Sequence, residues 1–157
     1  MFRLKFLEAK ANVIILGGVG LGKTYLATAL GHAVCLRVAS VLFTSAVDAI
    51  NTLAAAQAGQ RLKAELKKYI SPSVLILDEL WYLPIDTRGA NLLFKIICLR
   101  YEQSSTIITS TRAFKQWPEV FHNESTLTSA MLDRLLHHAG TLLIEGKSFR
   151  MKDQIEG

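Results

Sequence analysis

The run Gly17-Gly18-Val19-Gly20-Leu21-Gly22-Lys23-Thr24 constrains this chain more than any other feature. It matches G-x-x-x-x-G-K-[ST] and lies between an apolar run, Val13 to Leu16, and a segment of helical periodicity from Lys23 to Arg37. A strand that turns through glycines into a helix makes a phosphate cradle. The glycines let backbone N–H groups approach phosphate oxygens closely, and the helix start adds a favourable dipole. Lys23 then supplies positive charge to the outer phosphates, and the Thr24 hydroxyl supplies a ligand for magnesium. The nucleotide-binding stretch is read as Gly17 through Tyr25, the residue that follows Thr24.

Around this loop, short apolar runs alternate with segments whose apolar residues recur every three or four positions. Strands are expected at Val13 to Leu16, Val41 to Thr44, Val74 to Leu77, Thr106 to Thr109 and Thr141 to Glu145. Helices are expected over Lys23 to Arg37, Val47 to Ala56, Arg61 to Tyr69, Gly89 to Arg100 and Leu127 to His137. Strands this short and rich in Val, Ile and Leu suit a parallel sheet covered on both faces. The expected fold class is therefore α/β, with three layers: a five-stranded parallel sheet and helices on both sides. With 50% of its residues apolar and 20% charged, the chain reads as one domain. Residues 1–12 are expected to be a short lead-in, 13–150 the domain and 151–157 a tail.

The third strand ends in Asp78-Glu79, which places two carboxylates at the edge where open α/β sheets bind ligands. Asp78 is expected in the metal shell, and Glu79 is expected to orient and polarise an attacking water as general base. The fourth strand ends in Thr109-Ser110-Thr111-Arg112, whose polar side chains, Thr111 foremost, either reach the γ-phosphate or that water or merely cap the strand. Arg134, on a helix, and Arg150, after the last strand, are either solvated charges or arginines that stabilise a transferring phosphoryl group from a neighbouring subunit. Cys35 and Cys98 form no C-x-x-C pair and read as buried reduced thiols. His32, His122, His137 and His138 show no metal-ligand spacing, and Trp81 and Trp117 are expected to pack partly into the core. No apolar run is long enough for a membrane span or signal peptide, so the expected location is the cytoplasm. A net charge of +5 favours a polyanionic partner such as DNA, with Arg88, Lys95, Arg112 and Lys115 as candidate phosphate contacts.

Three blocks sharpen this reading: Asp78-Glu79-Leu80-Trp81-Tyr82-Leu83-Pro84, Thr109-Ser110-Thr111-Arg112-Ala113-Phe114 and Leu132-Asp133-Arg134-Leu135-Leu136-His137-His138. Together they resemble the IstB-like ATP-binding proteins, helper ATPases of bacterial insertion sequences related to the DnaC helicase loaders within the AAA+ group. The likeness runs from Phe6 to Ile155. It implies an AAA+ sheet with the ATP-binding strand placed centrally. It also implies a protein that binds ATP and Mg2+, hydrolyses ATP, assembles as a homo-oligomer on duplex DNA and recruits or stimulates a transposase. By the same resemblance Thr111 falls at the sensor position, Arg134 at the arginine finger that completes the next subunit's site, and Arg150 at a second sensor. Three features depart from the family pattern: a short segment before the first strand, Thr111 where Asn is usual, and Trp81 where Gly is usual. Two other readings are a helicase loader, within the same chemistry, and, in a different class, a binding module that holds ATP as a switch with little turnover.

Overall fold

A computed structural model describes residues 5–18, 20, 22–37, 39–80, 85–117, 125–137 and 139–144. In chain order the elements are α1 (Lys5–Glu8), β1 (Asn12–Gly17), α2 (Lys23–Cys35), β2 (Val41–Ser45), α3 (Ala46–Ala58), α4 (Leu62–Ile70), β3 (Val74–Asp78), α5 (Thr87–Arg100), β4 (Ser105–Ser110), α6 (Ser125–His137) and β5 (Ala139–Ile144). A single 3-10 turn, Phe114–Gln116, follows β4. The strands lie in the order β2-β3-β4-β1-β5, and every pairing is parallel. β4 is the middle strand, and β1, which feeds the glycine loop, lies beside it between β4 and β5.

Period-two alternation along buried strands separates two apolar clusters. Ile14, Leu16, Leu75, Leu77 and Ile108 face α3, α4, α5 and α6, meeting Leu53, Leu66, Leu93, Ile96 and Leu135. Val13, Ile15, Val74, Ile76 and Ile107 face the other way, onto Ala27, Leu30 and Val34 of α2, with Phe6 and Leu7 of α1 packed alongside. The helices thus form layers on both faces, as expected of strands apolar on both sides. Gly31 lets α2 approach the sheet, because a Cβ there would stand 2.8 Å from Ile76 Cδ1. Trp117 is fully buried and donates Nε1–H to the Arg112 carbonyl at 3.1 Å. Cys35, by contrast, is exposed: it sits one residue beyond Val34, turned off the apolar face of α2, so the expectation of a buried thiol fails there. Among the described residues no helix is long and apolar enough to cross a membrane.

Local chemistry sets several boundaries. Ser45 caps α3 by accepting the Asp48 N–H, and Asp86 caps α5 by accepting the Gly89 N–H at 2.7 Å. At the opposite end of the sheet from the carboxyl-terminal strand ends, Arg100 replaces a cap with a buried hub. Its guanidinium, 2% exposed, donates to the carbonyls of Tyr69 (2.9 Å), Ile70 (3.1 Å), Pro72 (2.9 Å) and Ser105 (2.6 Å) and to Thr106 Oγ1 (3.0 Å). The end of α4, the turn into β3 and the start of β4 are tied together by one side chain. Burial lowers its pKa to about 10, which leaves it charged at neutral pH. Replacing Arg100 with Met strands several carbonyls in an apolar setting and is expected to cost about 3 kcal/mol in urea unfolding. Arg100→Lys should recover only part of this, because an ammonium has three donors where the fork has five.

Candidate nucleotide site

β1 delivers the chain at Gly17 into a loop whose glycines adopt conformations closed to most residues. Gly20 and Gly22 have φ of 80° and 86°, in the left-handed region. Gly22 is also the N-cap of α2 and has no side chain with which to accept the first N–H groups of this helix. That is the arrangement an anion completes.

Lys23 is 8% exposed, and its Nζ donates to the Gly18 carbonyl at 2.8 Å, bridging the base of the loop. Burial pushes the ammonium below its ordinary range, while the negative charges of Asp78 and Glu79 oppose that shift. Thr24 Oγ1 lies 3.1 Å from both carboxylate oxygens of Asp78, although 54 residues separate the two in sequence. A cavity of about 430 Å³ is lined by Gly20, Gly22, Lys23, Thr24, Tyr25, Glu79 and Thr111. The structure therefore gathers the glycine loop, Lys23, Thr24, Tyr25, Asp78, Glu79 and Thr111 at one place. Tyr25 stands at its mouth with 76% of its surface exposed.

Val19, Leu21 and Arg150, like Trp81, fall outside the described residues. Arg134 is not part of the cavity wall. Its Nη1 donates to the Ala130 carbonyl at 3.3 Å, and its guanidinium stands 5.3 Å from the centre of the Phe94 ring on α5.

Thr109 and Ser110 stand with Thr111 among the polar residues expected at the end of β4, where Thr111 alone is singled out. Thr109 is fully buried in β4, where Oγ1 donates to Asp78 Oδ1 at 2.5 Å and accepts the Glu79 N–H at 2.8 Å. The available signal was a hydroxyl at the end of an otherwise apolar buried run, Ile107-Ile108-Thr109. A buried polar group needs a partner, and the nearest polar neighbours of that strand end are the two acids.

The donor set fits a hard cation. It offers a hydroxyl and a carboxylate oxygen, and no group of three or more His, Cys, Asp or Glu residues forms a metal cage among the described residues. Magnesium commonly takes one or two carboxylates and completes its shell with water and substrate phosphates, which is the set Thr24 and Asp78 would share.

A glycine cradle at the carboxyl edge of a parallel sheet, backed by an acid from β3 on the far side of β4, defines a P-loop nucleotide-binding domain of the α/β class. Within that class the chain belongs to the family of IstB-like ATP binding proteins, whose profile matches residues 1–157. It is 45% identical over 150 residues to a protein of insertion sequence IS232 from Bacillus thuringiensis subsp. berliner, an alignment covering 96% of this chain and 60% of the relative. To a protein of insertion sequence IS21 from Pseudomonas aeruginosa it is 44% identical over 151 residues, covering 96% of this chain and 57% of the relative. Both relatives are named for ATP binding, and the chain spans about six-tenths of their length. Among solved structures, the DnaC helicase loader matches with a TM-score of 0.76 at 22% identity, covering 92% of this chain and 84% of that one. The initiator DnaA bound to AMPPCP and single-stranded DNA matches with a TM-score of 0.76 at 23% identity, covering 99% of this chain and 49% of that one. At these identities the likeness is one of fold.

The buried lysine makes a signed prediction about pH. Its folded-state pKa lies below the unfolded value, so without ligand its charge costs stability throughout the neutral range. The cost is lifted as pH rises through the lowered pKa. Lys23→Met is therefore expected to raise the urea midpoint at neutral pH, and the difference from wild type is expected to narrow in alkaline buffer. A midpoint lower than wild type at both pH values would show that the ammonium stabilises the empty loop.

Proposed function

We propose that this chain binds ATP with magnesium and hydrolyses it, as the ATPase part of a protein that serves DNA transposition. The observation that carries the reading is the convergence of Lys23, Thr24 and Glu79 on the wall of one cavity at the loop, with Asp78 held against Thr24. In the proposed reaction the N–H groups at the start of α2 and the Lys23 ammonium hold the phosphates, and Thr24 and Asp78 hold the cation. A magnesium ion held there would neutralise charge on the phosphates. Glu79 accepts a hydrogen bond from the attacking water and takes its proton as the water oxygen bonds to the γ-phosphorus and the ADP oxygen leaves. Thr111, on the cavity wall, orients the same water. Arg134, held at Phe94 away from its own chain's cavity, serves the site of an adjacent copy, and Arg150 acts as a second sensor. Tyr25 flanks the bound nucleotide.

For the whole protein we propose assembly of several copies on duplex DNA with ATP, and recruitment or stimulation of a transposase. The insertion-sequence relatives support this role over a helicase loader. A polyanion is supported by the net charge of +5 and by a cleft of about 540 Å³ whose polar lining is Gln57, Thr87, Arg88, Asn91 and Lys95. α5 carries no acidic residue, and Glu65 of the adjoining α4 is paired with Lys68 at 3.0 Å.

Glu79→Gln is expected to abolish phosphate release while leaving binding of an ATP analogue within about twofold of wild type, since it removes the base and keeps the cradle. Equal release by both proteins would instead favour an ATP-holding switch. For the partner, sedimentation with ATP should show larger species when duplex DNA is added, whereas preference for single strands would favour a helicase loader. Arg88→Ala with Lys95→Ala should weaken DNA binding uniformly across sequences and reduce the slope of log K against log salt by about two.

A further inference from the structure

We infer that Thr109 and Ser110, the last two residues of β4, are the positioning device for Glu79; the inference rests on the ATPase reading above. Glu79 has φ of 57°, in the left-handed region where a side chain crowds its own backbone. A non-glycine residue stays there only when its surroundings hold it. Among the described residues the turn's backbone hydrogen bonds run to β4. Glu79 N–H is accepted by Thr109 Oγ1 at 2.8 Å, Leu80 N–H by the Thr109 carbonyl at 2.9 Å, and the Leu80 carbonyl accepts Ser110 Oγ–H at 2.9 Å.

Thr109 adds a constraint on direction. Its hydroxyl has one proton, which goes to Asp78 Oδ1 at 2.5 Å, so a lone pair is left to receive the Glu79 N–H. One side chain therefore sets the orientation of the cation-binding carboxylate and the backbone of the proposed base together. It does so from outside the cavity wall, fully buried, where it does not compete with a ligand. Ser110 extends the unit, since its Oγ also accepts the Arg112 N–H at 3.2 Å. Thr111 sits between these two residues, so both cavity-lining groups, Glu79 and Thr111, are carried by one hydrogen-bonded strand end.

Thr109→Val keeps the shape and removes the hydroxyl; Thr109→Ser keeps the hydroxyl. In steady-state ATP hydrolysis the valine variant is expected to lose about a hundredfold in kcat with KM within about twofold, as for a displaced catalytic group, and the serine variant is expected to restore most of the rate. Amide hydrogen exchange without turnover gives a second reading, with faster exchange at Glu79 in the valine variant and wild-type protection in the serine variant. A valine variant with wild-type kcat, or a loss that serine does not rescue, would overturn the inference. Should the wild-type chain release no more phosphate than Glu79→Gln, the ATPase reading fails. Exchange then decides the positioning claim alone, and unchanged protection at Glu79 in the valine variant sinks it.

Discussion

The site depends on keeping a carboxylate at the nearly closed end of a strand. Asp78 is 7% exposed and forms no ion pair within 4.0 Å among the described residues; two hydroxyls serve it instead. A carboxylate withdrawn from water needs donors, and each donor here comes from a different part of the chain. Thr24 arrives on α2, directly after the glycine loop, and Thr109 arrives at the end of β4. Satisfying one charge therefore requires β4 to lie between β1 and β3 and α2 to start over the same sheet edge. The parallel register does this, pairing Ile15 with Thr109 on one side of β4 and Leu77 with Ile108 on the other.

Two buried cations show how the chain divides stability from function. Arg100 has five acceptors at the far end of the sheet and is complete without a ligand. Lys23 has one among the described residues, the Gly18 carbonyl, and its burial lowers its pKa against the opposing charges of Asp78 and Glu79. A lysine held this way is unfavourable in an empty loop and favourable beside phosphate, so the same burial that costs stability sharpens anion binding. Both side chains are nearly inaccessible; the difference lies in how many acceptors the fold provides.

Arg134 separates what one chain can complete from what an assembly would have to supply. Its guanidinium stacks on Phe94 and bonds within α6, outside the wall of its own cavity. An arginine that acts on a neighbour's phosphates must lie away from its own, which is the placement the proposed role requires. The basic cleft between α3, α4 and α5 draws on none of the residues that line the nucleotide cavity, so polyanion contact and phosphate chemistry need not compete for the same side chains.

Much of this was legible along the chain. The glycine loop, the acid pair and the alternating apolar runs are local patterns: neighbouring residues carry the signal, and backbone geometry converts it directly into a cradle, a strand end and a layered sheet. The caps at Ser45 and Asp86 came only with the structure, which starts α3 and α5 at Ala46 and Thr87, ahead of the expected Val47 and Gly89. Thr109 and Arg100 were not legible, because a threonine in a strand and an arginine ending a helix have many uses, and their partners lie 30 or 31 residues away for Thr109 and up to 31 for Arg100. Cys35 looked buried because it belongs to an apolar segment, yet one position's rotation on α2 turned it to solvent. By itself the sequence determined where the glycine loop, Gly17 to Thr24, and the acid pair, Asp78-Glu79, would lie. Only the tertiary structure decided which hydroxyls steady the acids, because that depends on which strand the sheet inserts between β1 and β3.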